Sequence, residues 1–302
     1  MSGWDYLVIG GQKCGTTTLH HLLSDNPRLA QPRTKEAPLF LREVSEADVR
    51  RHVVRHVGAP DGRLTGKATP AYMCHPGVAA RIAAANPSTR LIAVLRDPIE
   101  RARSHWRMQC SFGTEHRPFA VAMNDALTTR SAHIPTRQED GYVAWGEYGR
   151  ILEGYLSVFP RDQLHVLCLD DLEADPVGTI SRICDFLGVD PHVPRYAGTH
   201  FNVGHSGGGP STVANWVWRL LPYRQAWRRL PVRLRVPLAA RLDRLDVRRP
   251  ETMLDQSLPS SLLERLESHF ACDADRLRAN GFLVGGRQSE ARLSELKVDA
   301  RE

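Results

Sequence analysis

No apolar run in this chain of 302 residues approaches the roughly 20 residues that span a bilayer, which argues against a helical membrane span. The opening residues, MSGWDYLVIGG, lack both a basic n-region and a long apolar h-region, so no signal peptide is expected and the cytoplasm is the expected compartment. The six cysteines (14, 74, 110, 168, 184 and 272) form no CxxC pair, so they have no zinc-site spacing and are expected as free thiols. No internal repeat is present. Hydrophobic residues make up 42% and charged residues 25%, which excludes a disordered, collagenous or coiled-coil chain. The net charge of +6 favours anionic partners. Arginine makes up most of the excess and much of it sits in one C-terminal stretch, so no nucleic-acid partner is expected.

Strands and helices alternate along the chain. Tyr6–Gly10 is a short apolar run ended by glycines, as in a buried parallel strand, and a helix is predicted over Thr16–Ser24. Further helices are predicted over Pro76–Ala85, from Pro98, and over Tyr148–Phe159 and Pro176–Leu187, with strands at Leu91–Leu95 and Leu164–Leu169. The pattern implies an α/β fold with a parallel sheet flanked by helices. One domain over 1–302 is expected, with a core at about 4–190 and an Arg-rich helical part at about 210–284. The latter closes with a helix over Pro259–Asn280, and a polar tail follows at 285–302.

The most informative segment is Gly10-Gly11-Gln12-Lys13-Cys14-Gly15-Thr16-Thr17-Thr18-Leu19, between a strand and a helix. Glycines allow a tight turn, and a helix N-terminus offers unpaired N–H groups and a positive dipole end to an anion. Lys13 adds a charge, and Thr16 and Thr17 add hydroxyl donors. A Walker A loop would have lysine at position 16 rather than threonine; here the lysine has moved into the loop. The strand at 91–95 is followed by Arg96 rather than by the aspartate of a metal shell. A guanidinium at a strand's C-terminal edge suits a phosphate, and Ser104, eight residues on, adds a hydroxyl.

These two motifs, GGQKCGTTTL (10–19) and LRDPIERARSHW (95–106), resemble those of the sulfotransferases that use 3′-phosphoadenosine 5′-phosphosulfate (PAPS). The resemblance implies a nucleotide-binding core with a P-loop-like anion site. Gly11, Gln12, Lys13, Cys14, Gly15, Thr16, Thr17 and Thr18 would hold the 5′ end of PAPS, and Arg96 and Ser104 the 3′-phosphate. It continues through Gly146-Glu-Tyr-Gly149 and the strand at 164–169 to the closing helix.

Lys35-Glu36-Ala37-Pro38-Leu39-Phe40 resembles a segment of the heparan-type, Golgi glycan branch, in which the glutamate matching Glu36 is the general base. The alternative for Glu36 is a solvated ion pair with Lys35. Gly66-Lys67-Ala68-Thr69-Pro70-Ala71-Tyr72 is similar to a segment of the same branch whose lysine positions the acceptor or neutralises the sulfuryl group. This chain has Gly66 where that branch often has glutamate, and a surface lysine before a turn is the other role open to Lys67. Lys13, next to the bridging oxygen, is expected to neutralise the leaving group. His20, His21, His75 and His105 are expected in packing or surface roles. Cys14, between a lysine and a helix start, sits where a thiolate would be stabilised.

Trp216, Trp218, Tyr223 and Trp227 alternate with arginines up to Arg235. Three roles fit the segment Trp216–Arg235: a peripheral membrane contact reaching a lipid-linked acceptor, a lid over an anionic glycan, or a helical pair packed on the core. Thr199–Ser206, where the family often carries basic residues, has none. The resemblance implies a metal-independent transferase that moves a sulfuryl group from PAPS to a hydroxyl, or an amine, of a small-molecule, glycan, glycolipid or secondary-metabolite acceptor. The alternatives are a nucleotide kinase and a non-catalytic anion- or lipid-binding protein on the same fold.

Overall fold

The computed structural model describes residues 3–194, apart from 33, 34, 37, 60 and 130–132, and residues 256–282. The segments 199–209, 216–235 and 285–302 lie outside the described residues.

Five parallel strands form one sheet in the order β2-β3-β1-β4-β5. They are β1 (Tyr6–Gly10), β2 (Leu29–Ala30), β3 (Leu64–Ala68), β4 (Arg90–Leu95) and β5 (Leu164–Cys168). β1 is buried throughout and β4 almost so, which is why both read as continuous apolar runs. The chain leaves β1 toward β3 on one side and returns to β4 on the other. The carboxyl end of β1 is therefore the switch point, where a crevice opens in sheets of this type.

The helices are α1 (Thr16–Ser24), α2 (Glu46–Val57), α3 (Ala71–Cys74), α4 (Val78–Ala85), α5 (Pro98–Phe112), α6 (Phe119–Thr128), α7 (Tyr148–Leu156), α8 (Leu169–Ala174), α9 (Pro176–Leu187) and α10 (Ser260–Ala279). α1, α5 and α9 start where the sequence places them. α7 stops at Leu156, three residues before the expected end, because Ser157 and Val158 turn into the loop that precedes β5. α2, α6, β2 and β3 were not expected. α2 nonetheless has a sequence-legible start, a reciprocal capping box between Ser45 and Asp48. Among the described residues, no helix is long and apolar enough to cross a membrane.

Two apolar clusters hold these layers. The larger lies on the sheet; the smaller joins α5 and α6 to α10 through Trp106, Phe119, Tyr142, Leu262, Leu266 and Phe270. Helix α10 is also fixed by a polar contact. The Asp273 carboxylate accepts the N–H groups of Gly149 (2.7 Å) and Arg150 (2.9 Å), capping the first turn of α7. Asp273→Ala is expected to cost about 1–3 kcal/mol, since two buried donors lose their acceptor. Thermal denaturation checks this; an unchanged Tm would mean that the smaller cluster alone holds α10.

Candidate active site

The loop after β1 is tied to β4 by the Gly11 N–H, which donates to the Val94 carbonyl at 2.6 Å. Lys13 then takes a left-handed backbone with φ 68°, uncommon outside glycine and frequent where a loop is shaped for function. Gly15 follows with φ 77°, and a Cβ there would lie 2.4 Å from Leu169 Cδ1, so two constraints require glycine. Helix α1 begins at Thr16 with no acidic residue in its first turn and no side-chain cap, which leaves its N-terminal donors and dipole open to an anion. Thr16 is buried, Thr17 and Thr18 are half-buried on the same turn, and Gln12 Oε1 is buried without a hydrogen-bond partner among the described residues.

The second motif is brought against this loop. Arg96 leaves the end of β4 and meets Glu100 on α5 at 3.8 Å. Glu100, Ser104 and Met108 follow one another at four-residue spacing on one helix face. The Lys13 ammonium donates to the Met108 thioether at 3.8 Å, so Ser104 is bracketed between the Arg96 end and the Lys13 end of this face. Tyr148, from the Gly146–Gly149 segment, completes the joint. Its buried hydroxyl lies 3.5 Å from Cys14 Sγ and also bonds the Arg96 backbone.

Burial, with the charges of Lys35 and Arg96, pushes the Lys13 pKa down. The charges of Lys35 and Arg96 thus both act on Lys13, in the loop that opens α1. Lys35 is itself only 17% exposed, and its pKa is also pushed down by burial. It pairs with Glu36 at 3.1 Å, and Glu36 is 58% exposed. Both members of the Lys35-Glu36 pair lie in electrostatic reach of Lys13. The fold gives no support to a wholly solvated pair, because the lysine is its inner member.

Lys67 is not a surface lysine before a turn. It lies inside β3, wholly buried, between the rings of Trp4 (5.2 Å) and Tyr72 (5.4 Å), and burial lowers its pKa to about 7. Tyr72 links it to the Glu36 segment, since its hydroxyl accepts the N–H of Leu39 at 2.8 Å. Gly66 also has a physical cause: a Cβ there would lie 2.0 Å from the Tyr6 ring, so no glutamate fits. Because Lys67 must give up charge on folding, stability is expected to fall as pH falls from the ordinary lysine range toward 7 and to level off below it. Lys67→Met is expected to remove that slope; thermal melts across pH in which the slope persists would take Lys67 out of it.

Cys14, His20 and His105, near the motifs, are buried, and the two histidines pack as expected. Cys14 is wholly buried and its thiol pKa is raised by burial, so the fold does not favour the thiolate that the neighbouring lysine suggests. His105 is wholly buried, stacked on Trp145 at 5.1 Å, with its pKa far below the usual value through burial and Arg101; it packs. His20 is buried too, with its pKa lowered to about 4 by burial. Arg101, singled out by nothing in the sequence, is fully buried and donates to the carbonyls of Gly141 and Tyr142.

The arrangement offers an uncapped helix N-terminus with Lys13 in the loop before it and the charges of Lys35 and Arg96 acting on that lysine, features that suit an anion. A carboxylate stands at its exposed edge. Residues 4–200 match the family model for the sulfotransferase domain. A human heparan sulfate glucosamine 3-O-sulfotransferase 6 is 28% identical over 183 residues, which cover 61% of this chain and 52% of that protein. A mouse heparan sulfate glucosamine 3-O-sulfotransferase 3A1 is 34% identical over 131 residues, covering 43% of this chain and 32% of that protein. The chain thus spans about half the length, or less, of these curated relatives. A sulfotransferase structure from Alicyclobacillus acidocaldarius superposes with a TM-score of 0.63 at 22% identity over 92% of this chain and 96% of that one, which supports the same fold. With the matched domain covering most of the chain and both anion-binding motifs within it, the protein belongs to the sulfotransferase family.

Proposed function

We propose that the chain transfers a sulfuryl group from PAPS to a hydroxyl group of an acceptor. The observation that carries this is the uncapped N-terminus of α1, with Lys13 in the loop before it set against Met108 on the α5 face that bears Ser104; the charges of Lys35 and Arg96 act on Lys13. Like charges held together in a partly buried site are unfavourable alone and favourable around a polyanion. The site fits such a donor: the N–H groups at the start of α1 carry no side-chain cap and no acidic residue stands in its first turn. Gly11, Gln12, Lys13, Cys14, Gly15, Thr16, Thr17 and Thr18 hold the 5′ end through backbone and hydroxyl donors. Arg96 and Ser104 hold the 3′-phosphate. Bound there, PAPS supplies a sulfuryl group activated by its mixed anhydride with phosphate. Glu36 takes the proton of the acceptor hydroxyl, and Lys13 neutralises the charge that develops on the departing phosphate oxygen. Lys67, beneath Tyr72, supports the segment that carries Glu36.

The acceptor proposed is a sugar or small-molecule hydroxyl, on a glycan, glycolipid or secondary metabolite. The similar human and mouse proteins are named for sulfation at the 3-O position of heparan sulfate glucosamine, which favours a hydroxyl over an amine. Incubation with labelled PAPS and a panel of sugar and small-molecule alcohols tests the proposal. Label is expected on an acceptor and is expected to survive EDTA, because lysines and backbone donors supply the positive charge. Label transfer only from the γ-phosphate of ATP, with strict magnesium dependence, would favour a kinase.

Arg96→Ala and Ser104→Ala are expected to weaken PAPS far more than adenosine 5′-phosphosulfate, which has no 3′-phosphate. A lost hydrogen bond to a charged group is worth about 1.5–3 kcal/mol. Equal weakening of both donors, measured by calorimetry, would remove these residues from the 3′-phosphate.

A further inference from the structure

Lysine is scarce in this chain: only Lys13, Lys35, Lys67 and Lys297 occur, against 40 lysines and arginines in total. Lys35 acts on Lys13 electrostatically, Lys67 is buried in β3, and Lys297 lies outside the described residues. Lys35 differs from the exposed ion-pair cations of α2, though Arg81 and Arg103 are buried to a similar degree. Arg50 and Arg51 are 61% and 71% exposed, whereas Lys35 is 17% exposed and leans inward with its partner Glu36 outside it. Its charge is felt at Lys13 in the loop and at His20 on α1. A lysine has a flexible stem and three rotatable donors, so it can change partners without moving the backbone.

We propose that Lys35 is an exchange residue: it holds the Glu36 carboxylate while the donor site is empty and turns to the sulfuryl end of PAPS when the donor binds, which frees Glu36 for the acceptor. The inference rests on the function proposed above and assigns Lys35 a role at the same site. Its basis is the 3.1 Å pair, the inward position of the lysine and its reach to Lys13. Before the donor arrives, Glu36 is engaged by Lys35. Once the ammonium has an anion to turn to, the carboxylate faces the acceptor unpaired. Donor binding would thus precede activation of the base.

The exchange has a thermodynamic sign that a fixed ion pair does not. Donor binding must break the Lys35–Glu36 contact, so removing the carboxylate should tighten PAPS. The test is calorimetric titration of PAPS, without acceptor, into the full chain and four variants. Glu36→Gln is expected to bind PAPS about two- to fivefold more tightly than wild type, the range for an ion pair of this exposure. Lys35→Met, which keeps the apolar stem, is expected to bind roughly ten- to a hundredfold more weakly, as for a lost charged hydrogen bond. Lys35→Arg, which keeps the charge, should recover most of that loss. In the Lys35→Met background, Glu36→Gln should give no gain.

An equal gain from Glu36→Gln in both backgrounds would mean simple repulsion between carboxylate and donor and would overturn the exchange. So would unchanged affinity in Glu36→Gln or in Lys35→Met. Should Lys35→Met fail to fold, Lys35→Gln takes its place, alone and combined with Glu36→Gln, with the same two outcomes. If wild type binds no PAPS, the donor assignment itself falls, a result distinct from wild-type binding with an indifferent Lys35.

Discussion

Lys13→Met is expected to lower kcat by about 10²–10³-fold, the range for removing one group that stabilises transition-state charge. The lysine stands in a loop whose left-handed backbone at Lys13 and glycine at position 15 place its ammonium against Met108, beside the open end of α1. Methionine keeps the length and the apolar contact, so the loop should remain. A contact made only as the phosphate oxygen departs appears in kcat, whereas a contact to the resting donor appears in KM; both are expected to change, kcat more. The pH profile adds a sign. Burial and the charges of Lys35 and Arg96 lower the pKa of Lys13, so activity should fail on the alkaline side below the ordinary lysine range. Steady-state kinetics across pH check both points, and a Met variant with near-normal kcat would take Lys13 out of the chemistry.

Glu36→Gln is expected to reduce kcat by about 10²–10⁴-fold, because an unassisted hydroxyl is a poor nucleophile at neutral pH. Glutamine keeps the shape and removes the negative charge, and with it both the ability to accept a proton and the ion pair with Lys35. The acid limb of the pH–rate profile should vanish with it. A surface pair would behave otherwise: its loss would change stability by about 0–1 kcal/mol and leave turnover intact. A Gln variant that keeps more than about a tenth of wild-type kcat would refute the role. His105 would not replace Glu36, because it is buried against Trp145.

The parts of this site that could be read from the sequence are those where local rules and the fold agree. β1 and β4 are apolar runs because both faces of the sheet are covered, and α1 and α5 start where glycine and proline permit. β3 escaped notice because its pattern, Leu-Thr-Gly-Lys-Ala, is not apolar. Its glycine makes room for the Tyr6 ring and its lysine is buried between two aromatic rings, facts that belong to tertiary packing. The Lys35-Glu36 pair looks like any adjacent ion pair until the fold shows the lysine inside and the carboxylate outside. At Cys14, proximity to a lysine and a helix start suggests a thiolate, whereas burial against Tyr148 favours the thiol. Tyr148 carried a family resemblance but no evident task, and only the folded chain shows that it joins the Cys14 loop to Arg96.

The most direct test is a calorimetric comparison of two nucleotides on the wild-type chain, adenosine 3′,5′-bisphosphate and ATP with magnesium. The first carries phosphates where the α1 loop and the Arg96–Ser104 face are proposed to hold them, so it should bind without metal. It should also bind at least about tenfold more tightly than adenosine 5′-monophosphate, which lacks the 3′-phosphate. Magnesium-dependent binding of ATP, with no preference for the 3′-phosphorylated nucleotide, would contradict the assignment of this site to a PAPS-type donor.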